Sequence, residues 1–111
     1  MKLIELASSL ELEAVYSADL DREVRGAYTG DLLSWVMTRL DADFAWITIM
    51  NNVNVIAVAS LSDASCVIFT ENAEIPDEVT EKAKQQNINL FRTNKTSFEI
   101  SYLIGRLLYA E

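Results

Sequence analysis

The fold is decided by two short apolar segments, Phe44-Ala-Trp-Ile-Thr-Ile49 and Cys66-Val-Ile-Phe69, and by the stretch Asn54-Val-Ile-Ala-Val-Ala-Ser-Leu61 between them. Continuous apolar runs rich in Ile, Val and aromatic residues are typical of strands buried on both faces. The small and apolar residues between them favour a helix that lies flat on the sheet. The pattern therefore predicts a right-handed strand–helix–strand unit whose parallel strands end at one edge of the sheet.

Polar side chains follow both predicted strands at this edge. Ligands of open α/β folds bind there because backbone N–H groups and helix N-termini converge. The candidate ligand-binding residues are the six that follow the two strands: Asn51, Asn52, Asn54, Thr70, Glu71 and Asn72. For the asparagines a structural role is the alternative, since Asn favours helix caps and left-handed turns. The charge of Glu71 opposes a bare phosphate, so we expect a neutral or cationic group, or a phosphate accompanied by a metal ion.

Composition limits the class of protein. A chain of 111 residues, half of them hydrophobic, predicts one domain with one core over residues 1–111. The net charge of −8 and the lack of a Lys/Arg cluster argue against a nucleic-acid partner. No apolar stretch is long enough for a membrane span, and the first ten residues lack the apolar core of a secretory signal. These features predict a cytoplasmic protein that does not associate with membranes.

Little in the sequence supports catalysis, a cofactor or a metal. The chain has no His and three Gly, and the glycines do not frame a phosphate-binding loop. The lone Cys66 lies in a predicted strand without a neighbouring base, so a buried core residue is expected rather than a reactive thiol. The alternating acids Asp19, Asp21 and Glu23 lack the further oxygen ligands of an ion loop and predict a solvated turn. The protein is therefore predicted not to be an enzyme.

The remaining elements follow from periodicity and capping signals. Strands are predicted at Leu12–Tyr16, Val24–Tyr28 and Ile88–Phe91, the last parallel to the two core strands. A first helix is predicted over Lys2–Leu10. Pro76 is placed to open another, and Asn87 to end it as a left-handed C-cap. The final helix begins with a capping box, Thr96-Ser-Phe-Glu99. Within it, Gly105 is expected to permit a close backbone approach.

The helix predicted after the strand Val24–Tyr28 has one apolar face, and its Trp35 lies outside that face. Asp31 is placed to cap it, and its apolar face is predicted to consist of Leu32, Leu33, Val36, Met37 and Leu40. Trp35 lies opposite that face and would be exposed unless a partner covers it. We therefore predict a homodimer with Trp35 in the interface.

From Gly26 onward, four segments resemble a known family: Gly26-Ala-Tyr-Thr-Gly-Asp-Leu-Leu-Ser-Trp-Val-Met37, Trp46-Ile-Thr-Ile49, Asn54-Val-Ile-Ala-Val-Ala-Ser-Leu61 and Pro76-Asp-Glu78. The family that they resemble is the DRTGG domain. Asn51 and Asn52 align with the Asp-Arg pair that gives the family half of its name. Thr70, Glu71 and Asn72 align with its Thr-Gly-Gly, of which only the Thr is retained.

The resemblance implies a three-layer α/β/α sandwich with a mainly parallel sheet, similar to the N-terminal domain of HPr kinase/phosphorylase. It implies a regulatory or assembly role without catalysis, because the kinase chemistry belongs to a separate P-loop domain that nothing here matches. We predict a ligand-sensing module that binds a small metabolite or nucleotide, and redox metabolism of the hydrogenase type is a family-level association. A protein-interaction or assembly subunit without a small-molecule ligand is the alternative function.

Overall fold

A computed structural model describes residues 1–110 as five strands and five helices. The strands are β1 Glu13–Tyr16, β2 Gly26–Thr29, β3 Phe44–Thr48, β4 Cys66–Phe69 and β5 Leu90–Arg92. The helices are α1 Leu3–Ser9, α2 Leu33–Arg39, α3 Val53–Leu61, α4 Asp77–Gln86 and α5 Ser97–Tyr109. The sheet order is β1-β5-β4-β3-β2, with β2 to β5 parallel and β1 antiparallel at the edge next to β5. The predicted α/β fold with a mainly parallel sheet is confirmed.

The core is divided between the two faces of the sheet. Successive residues of β3 show the division. Trp46 packs with α2, α3 and α4 on one face of the sheet. Its neighbours Ala45 and Ile47 pack with α1 and α5 on the other face. Residues of a strand alternate between faces, so a strand covered on both sides is apolar throughout. This is why β3 and β4 could be recognised as continuous apolar runs.

Two predicted helix signals are confirmed. Thr96 accepts the Glu99 backbone N–H, and Glu99 accepts the Thr96 backbone N–H, both at 3.1 Å, which closes the capping box of α5. Asn87 ends α4 in the left-handed conformation with φ of 57°, as Asn often does at this position. These caps depend only on neighbouring residues, which makes them readable from sequence.

The prediction that Asp31 caps α2 is wrong. Its Oδ1 accepts the Thr48 hydroxyl at 2.7 Å and the Ile49 backbone N–H at 2.9 Å, and α2 begins after Leu32 without a side-chain cap. The carboxylate thus takes the unpaired donors at the end of β3. The predicted apolar face of α2 is also only partly buried: Val36 and Leu40 are inside, whereas Leu32 and Met37 are exposed. A helix of seven residues at one end of its layer reaches the core with few side chains.

The close backbone approach predicted for Gly105 is not found within residues 1–110. A Cβ built on Gly105 would have no atom within 4 Å, so packing inside the chain does not require glycine there. Leu61, expected on the buried side of α3, is exposed at the end of that helix. Cys66 is fully buried in β4 as predicted, and burial raises the pKa of its thiol to about 12.

Candidate functional site

Four loops follow the parallel strands at the carboxyl edge of the sheet, and three of them contain predicted site residues or contact them. The β3–α3 loop carries Asn51 and Asn52, and the β4–α4 loop carries Thr70, Glu71 and Asn72. The β5–α5 loop lies beside the second of these. Parallel strands joined by helices bring all three loops to the same edge.

Thr70 and Glu71 are directed toward the start of α5. The Thr70 side chain is fully buried and its hydroxyl lies 2.6 Å from the Ser97 hydroxyl. A carboxylate oxygen of Glu71 accepts the Ser97 backbone N–H at 3.0 Å. An anionic side chain of the protein therefore already lies at the N-terminus of α5, where the helix dipole favours negative charge.

Glu71 and Asn72 both adopt left-handed backbone conformations, with φ of 61° and 55°. Their backbone N–H groups donate to Lys95 and Thr93 carbonyls at 2.9 and 3.0 Å, which ties the β4–α4 loop to the β5–α5 loop. Positive φ is the reason for glycine at such positions, because other residues are strained there. Two non-glycine residues thus form a turn for which glycines would be suited.

The three asparagines of the β3 side have different environments. Asn51 donates from Nδ2 to the Glu74 carbonyl at 2.7 Å and so connects the β3–α3 and β4–α4 loops. Asn52 is the N-cap of α3, and its Oδ1 accepts the Asn54 backbone N–H at 2.9 Å. The Asn54 side chain is exposed on the first turn of α3. The structural alternative therefore holds for Asn52, while a ligand role for the three residues stays a prediction.

Two adjoining cavities open at this edge. The larger, of about 660 Å³, is lined by Glu13, Val15, Asn51, Glu74, Ile75, Pro76, Asp77 and Arg92. The smaller, of about 310 Å³, is lined by Glu11, Glu13, Asn72, Arg92, Thr93, Asn94 and Lys95. Glu13 and Arg92 belong to both. Of the six predicted residues, Asn51 thus lies at one cavity and Asn72 at the other.

Arg92 separates the cavities and holds the loop above them. Its Nε donates to the Ala73 carbonyl at 2.9 Å, and its Nη2 donates to the Asn72 carbonyl at 3.1 Å. Its Nη1 lies 3.9 Å from a carboxylate oxygen of Glu13, and about a third of the Arg92 side chain is exposed. The edge strand β1 and its neighbour β5 therefore each contribute one charged group to the division.

The cavities differ in charge. The larger cavity has three carboxylates, from Glu13, Glu74 and Asp77, against Arg92 alone. The smaller one has Arg92 and Lys95 to balance its two glutamates, with amide side chains between them. The larger cavity is suited to a cationic or metal-bound group, and the smaller to a polar group that carries some negative charge.

Arg92 and Glu13 were missed as site residues. Arg92 directly follows the predicted strand Ile88–Phe91, so its place at the carboxyl edge could have been read from the sequence. Glu13 could not, because its position depends on β1 pairing antiparallel with β5, where it is the partner of Arg92. A hairpin has a local sequence signal, but a pairing over this separation has none.

Other chemistry has little support within residues 1–110. No group of three or more His, Cys, Asp or Glu side chains there is arranged to hold a metal ion. Among the helices of the same range, none combines the length and apolarity that crossing a membrane requires. Asp19 accepts the Asp21 backbone N–H at 3.0 Å and Glu23 pairs with the N-terminal amine at 3.0 Å, so these acids have structural partners.

The model of the DRTGG domain family matches residues 5–107. The chain belongs to the DRTGG domain family. The resemblance seen in the sequence is thereby confirmed at the level of the family. No protein of curated function matches the sequence.

A solved structure with the same fold comes from Clostridium perfringens. It contains the CBS and DRTGG domains of the regulatory region of a pyrophosphatase, complexed with the activator diadenosine tetraphosphate. The TM-score is 0.73 at 19% identity, over 93% of this chain. The match covers 45% of that chain, so this DRTGG domain spans less than half of the regulatory region.

Proposed function

We propose that this DRTGG domain is a non-catalytic regulatory module that senses a small polar ligand at the carboxyl edge of its sheet. The observation that carries the proposal is the pair of cavities divided by Arg92, at the edge where the altered family motif lies. The binding groups in this proposal are Asn51, Asn52, Asn54, Thr70, Glu71 and Asn72, together with Arg92.

The hydrogen bonds of the edge supply a way to couple binding to the shape of the domain. Arg92 holds the β4–α4 loop through two carbonyls, and Asn51 holds the same loop through the Glu74 carbonyl. A ligand that engages either side chain must replace or strengthen these bonds. Binding and loop position are therefore linked, because a ligand favours the loop conformation to which it binds more tightly.

A nucleotide with a divalent cation is the first ligand to test. The carboxylates of the larger cavity favour the cation, and Arg92 with Lys95 favours phosphate oxygens. Glu71 already lies at the N-terminus of α5, which weighs against a free anion at that point. The related regulatory region is complexed with a nucleotide activator, which supports the same choice of compounds.

The proposal is tested by thermal-shift measurements with nucleotides and other metabolites, with and without magnesium. A ligand that binds the folded state raises the melting temperature with concentration. Asn72→Asp adds a carboxylate to the smaller cavity and should abolish this shift. It should leave the unliganded melting temperature nearly unchanged, because the Asn72 side chain is exposed and Asp, like Asn, tolerates the left-handed backbone conformation. Gln85→Glu, on the exposed side of α4, adds the same charge away from the cavities and should leave the shift intact.

An assembly subunit without a small ligand is the second candidate, and the exposed Trp35 favours it. The ring is stacked by Arg39 of its own helix, 3.9 Å from the ring centroid, so a partner would have to cover both. In either case we place the domain in the cytoplasm, and a hydrogenase-type redox subunit is the partner that the family association suggests. If no compound stabilises the protein while one stoichiometric partner binds it, the assembly role replaces the sensing role.

A further inference from the structure

The outer face of α5 carries an apolar stripe where a solvated helix normally has polar residues. Phe98, Tyr102, Gly105 and Tyr109 follow one another at spacings of four, three and four residues. At 3.6 residues per turn they lie within about 60° of arc, opposite the buried Ile100 and Ile104. Single exposed apolar residues are common, but a stripe with heptad spacing is the pattern of a helix that pairs with another helix.

The stripe has a second property, which is symmetry. Phe98 and Tyr109 lie the same number of residues before and after the point between Leu103 and Ile104. Tyr102 and Gly105 are placed about the same point in the same way. We propose that a second copy of this chain occupies the stripe, with the two α5 helices antiparallel about a two-fold axis. Phe98 then faces Tyr109 of the second copy, and Tyr102 faces its Gly105, in the self-complementary manner of an isologous interface.

The proposed dimer explains why glycine occupies position 105, whereas packing within the chain does not. A Cβ at this position would meet nothing within 4 Å, so the monomer itself does not require glycine there. Gly also lowers helix stability relative to Ala. Opposite the second copy's Tyr102, however, the missing side chain leaves room for the aromatic ring and allows the helices to approach closely.

The charges that flank the stripe fit the antiparallel orientation. With Phe98 and Gly105 at d positions and Tyr102 and Tyr109 at a positions, Glu99 and Arg106 both fall at e. Antiparallel helices place e beside e of the other helix, so Glu99 meets Arg106 of the second copy at both ends. Within the chain, Arg106 lies 5.8 Å from the Tyr102 ring centroid, at the margin of the stripe.

The exposed area sets the strength of the pairing. Phe98, Tyr102 and Tyr109 are 80%, 56% and 73% exposed, which leaves roughly 400 Å² per chain for aromatic side chains of about 150–250 Å² each. Two copies then bury roughly 800 Å² before their flanking residues are counted, whereas stable interfaces begin near 1,200 Å². We therefore expect a weak dimer that depends on protein concentration. This inference is independent of the ligand site.

Sedimentation over a range of concentrations, with Gly105→Leu as the main variant, tests the proposal. In the monomer a Cβ at this position meets no atom within 4 Å, and Leu has a higher helix propensity than Gly, so the melting temperature at low concentration should rise by about 3 °C. The same side chain fills the place of the second copy's Tyr102, so the dimer dissociation constant should rise at least about 10-fold. This combination excludes misfolding as the cause of weaker association.

Two further variants locate the interface. Arg106→Glu opposes Glu99 of the second copy and should weaken the dimer most at low salt. Trp35→Ala is the matched control, an exposed aromatic on α2. It should leave the dissociation constant unchanged, which distinguishes pairing through α5 from the alternative dimer predicted from the sequence, with Trp35 in the interface. A monomer at all concentrations overturns the proposal. So does a dimer that Trp35→Ala weakens and Gly105→Leu does not.

Cross-linking tests the orientation. Mixing Tyr102→Cys chains with Gly105→Cys chains should give a rapid cross-link with a short thiol reagent, since the buried Cys66 does not compete. Tyr102→Cys chains alone should react more slowly. If they cross-link faster than the mixture, the helices are not antiparallel in the proposed register and the proposal is wrong.

Discussion

Removal of the Asn89 side chain should destabilise the domain more than any other substitution of an uncharged polar residue. Asn89 is 2% exposed, at the start of β5. Its Oδ1 accepts the Ala18 and Asp19 backbone N–H groups at 2.7 and 2.9 Å. Its Nδ2 donates to the Asp19 and Ser65 carbonyls, both at 2.9 Å. One amide thus fixes the β1–β2 connection to the beginning of β4.

The magnitude follows from these bonds. A buried hydrogen bond contributes about 1 kcal/mol net, and a backbone group left without a partner costs about 1–3 kcal/mol. Water can enter beside the half-buried connection and satisfy some of the groups. We therefore expect Asn89→Ala to lower the free energy of unfolding by about 3–5 kcal/mol, a large part of the 5–15 kcal/mol typical of a domain.

Urea unfolding followed by circular dichroism measures this change. Asn94→Ala is the control, because the Asn94 side chain is exposed in the β5–α5 loop, and it should change the free energy by less than about 0.5 kcal/mol. Asn89→Asp should be at least as damaging as Asn89→Ala, since it keeps the acceptor but sets a carboxylate against two carbonyls. An Asn89→Ala loss below about 1 kcal/mol would refute the role assigned to this network.

Three further results are expected. Val58→Asp should prevent folding, because it places an unpaired charge in the buried layer between α3 and the sheet; loss of the cooperative thermal transition is the measurement. Cys66 should resist thiol reagents at pH 8 and react at once in urea, because burial raises its pKa to about 12. The Thr96 backbone N–H lowers the pKa of Glu99, so this carboxylate stabilises the fold above its unfolded pKa. That contribution is lost as the pH falls through the folded pKa, and acid titration should show Glu99→Ala and the unmodified protein converging in stability.

The sequence predicts the central part of the fold because the signals there are local. The parallel pairing of β3 with β4 follows from two apolar runs and a helix of nine residues between them. The capping box of α5 and the left-handed Asn87 likewise depend on a few adjacent residues. The β1–β2 connection, which Asn89 holds in place, has no such local pattern. Its residues Ala18 and Asp19 lie about 70 residues before Asn89 in the sequence.

The sequence predicted where the candidate site lies in the fold better than it predicted what individual residues do there. The edge follows from strand direction, so Asn51 and Asn72 reach the two cavities. Asp31 shows the limit of the method, because a short polar residue before a helix is the usual capping signal, yet its carboxylate serves the end of β3. The donors that hydrogen-bond to a carboxylate depend on distances in the folded structure. Spacing in the sequence does not give these distances.

Glu71 shows how the altered motif changes the edge while keeping its shape. Glycines suit the left-handed turn after β4, and Glu71 and Asn72 adopt the same conformations while the loop stays tied to the β5–α5 loop. The substitution adds a carboxylate that accepts the Ser97 N–H, so the N-terminus of α5 has an internal anion. A ligand phosphate would have to displace it or lie elsewhere, beside Arg92 and Lys95. In the proposed site, a ligand phosphate is therefore expected at the smaller cavity rather than at the helix terminus.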